Sequence, residues 1–110
     1  MNRFGLTVIE EEMIRDVLRR HTDVIEAKIF GSRAKGTFQP NSDVDIALWG
    51  KISFSVLAAI AGELDELPLP YRFDVQTYDA IRHPPLRDHI DRVGQSFYMF
   101  EEEIEKRNHR

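Results

Sequence analysis

Asp43 and Asp45 are separated by one residue, ten residues intervene between them and an upstream Gly31–Ser32 pair, and Asp74 follows in a later stretch of alternating polarity. Carboxylates are hard oxygen donors, suited to Mg²⁺ together with water and the phosphates of a nucleoside triphosphate. On one strand, alternation puts the Asp43 and Asp45 side chains on the same face. Gathered there with Asp74, the three would repel one another and raise one another's pKa. Divalent ions remove that objection, and two of them can stabilise the attacking and leaving oxygens of an in-line phosphoryl transfer. On this reading Asp43 and Asp45 hold the triphosphate-bound metal. Asp74 completes the other metal site and prepares the acceptor hydroxyl, by orienting it or by taking its proton.

Gly31 and Ser32 suit a different task. Backbone N–H groups in a glycine-containing turn can face a phosphate with no side chain in the way, and the serine hydroxyl adds a donor. Arg33 and Lys35 could neutralise charge above that turn, and Arg33 could equally pair with a sheet carboxylate.

These groups need a scaffold, and the rest of the chain supplies one. Thr7 to about Arg20 reads as an amphipathic helix with Ile14, Val17 and Leu18 at helical spacing, and Thr7 with Glu10 forms a capping box. Val24 to Phe30 switches to a period of two, with Ile25, Ala27 and Ile29 facing one way. Gly31 and Ser32 interrupt that strand, and Gly36 to Ser42 suits a turn. Asp43 to about Trp49 is a second strand whose apolar face is Val44, Ile46 and Leu48. Ser53 or Ser55 caps a helix to about Leu64, with Leu57, Ile60, Ala61 and Leu64 as its buried stripe. Arg72 to Tyr78 is a third strand. Pro84 and Pro85 open a short helix with Leu86, Ile90 and Val93 on one side and Gly94 as its terminator. Phe97 to Phe100 reads as a short edge strand or a packed loop, followed by a charged, fraying tail from about Glu101.

The expected fold is therefore α/β (α+β), a single domain over residues 1–110: a small mixed sheet with helices packed on one face and the aspartates on the other. The 42% hydrophobic content is that of a globule. A net charge of −4 disfavours wrapping a nucleic-acid duplex but permits a nucleotide bridged to carboxylates by metal. The chain has no cysteine, which removes disulfides, thiolate chemistry and sulfur-ligated metals and fits a cytoplasmic protein. It has no apolar run of bilayer length, and its acidic start does not resemble a secretion signal. His21, His83, His89 and His109 lack metal-ligand spacing. Trp49 reads as core or partner contact, the tyrosines give no nucleophile signal, and Glu101–Glu103 read as solvated surface.

The run Gly31-Ser32-Arg33-Ala34-Lys35-Gly36, followed by Asn41-Ser42-Asp43-Val44-Asp45, resembles the signature of the polymerase-beta-like nucleotidyltransferase superfamily. More closely, it is similar to the minimal nucleotidyltransferase (MNT) domain proteins of bacteria and archaea, over about Val8 to Tyr98. The resemblance implies a polymerase-beta palm-like fold, phosphate binding at Gly31 and Ser32, and metal binding at Asp43, Asp45 and Asp74. It also implies Mg²⁺ as cofactor and ATP as substrate. Members of that group are often antitoxins of small helical HEPN-domain toxins, and some transfer AMP from ATP to a tyrosine of the toxin. Two function classes follow. One is an active transferase modifying a protein; the other is an antitoxin that blocks its partner by binding alone. Phe97, Tyr98, Met99 and Phe100 are candidate docking residues for such a partner, unless Phe97 and Met99 pack on the core.

Overall fold

Thr7 stops the first helix from starting earlier: its hydroxyl accepts the Glu10 N–H at 3.0 Å, and the Glu10 carboxylate accepts the Thr7 N–H at 2.9 Å. This is the expected capping box, and it launches α1, Val8–Arg19, with Ile14, Val17 and Leu18 buried. The structure is a computed structural model and describes residues 3–108; His109 lies outside them. After α1 come β1 (Glu26–Phe30), α2 (Gly31–Lys35), β2 (Val44–Trp49) and α3 (Phe54–Asp65). The order continues with β3 (Phe73–Thr77), a 3₁₀ turn (Tyr78–Ala80), α4 (Pro84–Val93), β4 (Gln95–Met99) and α5 (Glu101–Asn108). Ser53, one of the two expected caps, accepts the Val56 N–H at the start of α3.

The strands form one mixed sheet in the order β3-β2-β1-β4. β1 runs antiparallel to both β2 and β4, while β2 and β3 are parallel, with α3 as the crossover between them. Ala27, Ile29, Val44, Ile46 and Leu48 face α1 and α3 in the main core, beside Ile60 and Leu64. In α3 only Ile60 and Leu64 are fully buried; Leu57 and Ala61 lie half-buried at the margin of the expected stripe. β1 begins at Glu26, so Ile25 falls outside the strand and is exposed, unlike Ala27 and Ile29. On the opposite face, α4 and the 3₁₀ turn cover part of the sheet through a smaller cluster of Phe30, Ala47, Ile81 and Ile90. The aspartates occupy the rest of that face.

The end of the chain departs furthest from its expected form. Gln95–Met99 is an edge strand, and a bulge shifts its register: Ala27 faces Tyr98 but Lys28 faces Ser96. The extra residue breaks the alternation, so Phe97 and Tyr98 are buried together in the core. They are not free docking residues; Met99 and Phe100 remain half-buried. Arg3 and Arg15 donate to the Ser96 and Phe97 carbonyls along this edge. The charged tail from Glu101 forms α5, tied down where Phe100 N–H meets the Ile25 carbonyl and where Arg107 reaches Glu26.

Candidate nucleotidyltransfer site

Register, more than sequence proximity, assembles the acidic face. β2 and β3 pair so that Asp45 stands directly beside Asp74, on strands about 4.8 Å apart. Asp43 immediately precedes β2 and is exposed, as is Asp74, while Asp45 is half-buried. Burial pushes the Asp45 carboxyl up to about 6, and the neighbouring charges of Asp74 and Asp43 push the same way. Arg33 opposes the rise.

The β1–β2 register sets Phe30 opposite Asp45, which delivers Gly31 to the Asp45 carboxylate. Gly31 has φ +71°, and a Cβ built on it would overlap Asp45 Oδ2. The absence of a side chain here is therefore required twice, by the backbone and by the carboxylate. Gly31 does interrupt the strand as expected, but it does so by starting the short helix α2, which Gly36 closes at φ +82°.

Arg33 is not where a phosphate ligand would be. It is 1% exposed, and its guanidinium donates to the carbonyls of Phe4 (2.9 Å), Pro40 (3.3 Å) and Ser42 (2.8 Å). The rings of Phe38 and Tyr71 flank it at 5.2 and 4.7 Å. Among the described residues it pairs with no carboxylate. Its work is to fold the loop between α2 and β2, which leads into the aspartate pair. Arg33→Ala should cost about 3 kcal/mol, because three carbonyls lose their donor in a closed environment. The exposed Lys35→Ala should stay within about 0.5 kcal/mol. Urea midpoints of the two variants check both values, and equal midpoints would refute the role given to Arg33. Lys35 remains at the surface of α2, free to meet an anion.

One neighbour was not legible in the sequence. Gly31 N–H donates to Nε2 of His89, on α4, at 3.1 Å. The N–H expected to face a phosphate is thus already satisfied internally. At the other end of α2, Gln95 donates to the Ala34 carbonyl at 2.8 Å.

As placed, the described residues include no group of three or more acidic or imidazole side chains drawn together as a metal cage. The chemistry of the donor set nonetheless fits Mg²⁺: Asp43, Asp45 and Asp74 offer only hard carboxylate oxygens, and burial first, then the charges of Asp74 and Asp43, disfavour an ionised Asp45 in the absence of a cation. A groove of about 510 Å³ lies elsewhere, between α1, β4 and α5. It contains none of the three aspartates.

No curated protein matches the chain significantly. Among solved structures, a toxin-antitoxin with AMP-PNP superposes with a TM-score of 0.68 at 21% identity, covering 90% of this chain and 87% of that one. The toxin-antitoxin MntA-HepT superposes with a TM-score of 0.65 at 18% identity, covering 94% and 88%. At these identities the likeness speaks for the fold. The family profile of polymerase beta nucleotidyltransferases matches residues 12–103, a span that contains the glycine–serine turn, all three aspartates and every strand of the sheet. With that match laid over this geometry, the chain belongs to the polymerase beta nucleotidyltransferase family.

Proposed function

We propose that this protein is a metal-dependent protein adenylyltransferase that moves AMP from ATP to a hydroxyl, with tyrosine the favoured acceptor, on a small helical HEPN-type toxin, and so acts as an antitoxin. The observation that carries this reading is the close approach of Gly31 to Asp45 beside Asp74, which brings the Gly31–Ser32 turn up to paired carboxylates with no Cβ at Gly31 in between. Family membership supports nucleotidyl transfer, and the toxin-antitoxin neighbours, one of them with AMP-PNP, support the partner and the nucleotide.

In this mechanism Asp43 and Asp45 would hold the triphosphate-bound ion, and Asp74 would complete the other metal site. Bound Mg²⁺ supplies charge neutralisation at the triphosphate and at the attacking oxygen. Ser32 binds phosphate oxygens at the turn, and Lys35 adds positive charge. Asp74 orients the acceptor hydroxyl and accepts its proton as the oxygen forms a bond to the α-phosphorus. The bond from that phosphorus to the bridging oxygen breaks, and pyrophosphate leaves with the electron pair. Asp74 is the exposed carboxylate of the pair and so the one an incoming protein side chain can reach.

The test incubates the protein with ATP, Mg²⁺ and the product of the neighbouring gene, then weighs the partner. Added mass of AMP is expected with the wild type. Asp74→Asn should still co-purify with the partner yet leave its mass unchanged. Binding and silencing by the wild type with no mass change, at any nucleotide or metal tried, would establish the antitoxin that acts by binding alone.

A further inference from the structure

We infer that His89 is a positioning residue for the triphosphate: by accepting the Gly31 N–H it holds the Gly31–Ser32 turn at a fixed distance from the aspartates, with Gln95 securing the far end of α2. This inference rests on the nucleotidyltransferase reading of the same site.

A helix as short as α2, Gly31–Lys35, cannot hold itself in place, since nucleation is costly and few internal bonds repay it. Phe30, at its N-cap, contributes no side-chain cap, and a glycine at the first position leaves the backbone soft. The buried Arg33 anchors the middle of α2 to the carbonyls of Phe4, Pro40 and Ser42, and the two ends need partners of their own. His89 Nε2 takes the N–H of the first residue, and Gln95 gives an N–H to the carbonyl of the fourth. Both side chains come from the segment that runs from α4 into β4. The His89 ring also stands edge-on to Phe30, 6.1 Å between centroids at 77°. Phe30 is the register partner of Asp45, and the Asp45 carboxylate fills the place a Cβ of Gly31 would take. A displacement of this turn therefore changes the separation between Ser32 and the metal-binding oxygens.

His89 does not act as a phosphate ligand through the nitrogen seen here. Nε2 accepts from Gly31, so it carries a lone pair and no proton, and a lone pair repels a phosphate oxygen. The Gly31 N–H is equally spent. Phosphate contact at the turn falls to Ser32.

The test measures ATP affinity by calorimetry with Mg²⁺ and without partner, alongside melting temperatures. His89→Leu should weaken ATP binding by about tenfold or more. His89→Gln, whose amide oxygen can accept the same N–H, should recover most of it. Leu86→Ala trims the packing of α4 without touching Gly31; it should lower the melting temperature and leave affinity within about twofold. In the nucleotide-free wild type, the ¹⁵N spectrum of the imidazole should show Nε2 unprotonated. Unchanged affinity in His89→Leu, or an equal loss in Leu86→Ala at matched destabilisation, would overturn the inference. If His89→Leu does not fold, the spectrum and His89→Gln decide: a protonated Nε2 or a Gln variant about tenfold weaker than wild type overturns it. A wild type that binds no ATP overturns the nucleotide reading itself, and this inference with it.

Discussion

Gly31→Ala should lower ATP affinity by about a hundredfold while the core stays folded. Two costs combine. At φ +71° a Cβ strains the backbone by about 1–2 kcal/mol. The same Cβ overlaps Asp45 Oδ2, so either the carboxylate swings away or the turn lifts. Each response spoils the geometry that a phosphate-bound ion needs. Gly36→Ala is the control, because Gly36 has φ +82° with open space around it. It shares the backbone strain without the overlap and should lose stability while keeping most of its affinity. Calorimetry on both variants separates the causes. Gly31→Ala binding ATP as the wild type does would remove the turn from the site.

The second large effect is at Asp45. Asp45→Asn should reduce AMP transfer by about a thousandfold or more, because the amide cannot replace a carboxylate on the ions. Its effect on stability should run the other way. The folded Asp45 carboxyl is raised from 3.8 to about 6, first by burial and then by Asp74 and Asp43. A raised carboxyl means the folded state holds its proton more tightly than the unfolded chain does. Below pH 3.8 the wild type carries no penalty; between 3.8 and about 6 the penalty grows, and above 6 it is complete. The metal-free asparagine variant should therefore match the wild type near the acid end of that window and exceed it above pH 6. The excess should be about 1 kcal/mol once solvent screening is allowed for. Melting curves at several pH values in the presence of chelator test this. A variant that unfolds at neutral pH would make Asp45 a structural residue.

The sequence announced some parts of this molecule and concealed others, for physical reasons. Local signals survived: the Thr7–Glu10 box, the alternation of Val44, Ile46 and Leu48, and the glycine before the aspartates each follow from a few adjacent residues. The neighbour relation of Asp45 and Asp74 was within reach because strand faces carry a period of two, although the register itself needed the structure. His89 gave no sign, since its contact with Gly31 spans 58 residues and depends on where α4 lands. Arg33 misled for a related reason. A cation beside a phosphate-binding motif invites an anion, yet its acceptors are three backbone carbonyls, which no side-chain pattern reports. The bulge opposite Ala27 and Lys28 likewise has no sequence signature, and it buries both Phe97 and Tyr98 where strict alternation would bury one of them.

The buried Arg33 also bears on how this protein breathes. Its guanidinium gathers carbonyls from Phe4 near the chain's start and from Pro40 and Ser42 just before the aspartate pair. Neither segment can open alone without leaving a charge stripped of its acceptors inside the protein. The two should therefore exchange their amide hydrogens as one cooperative unit, at a free energy closer to global unfolding than to loop fraying. A connection that by its length and composition would wander on its own thus shares the lifetime of the core, and the aspartates are presented from a strand end that is already held.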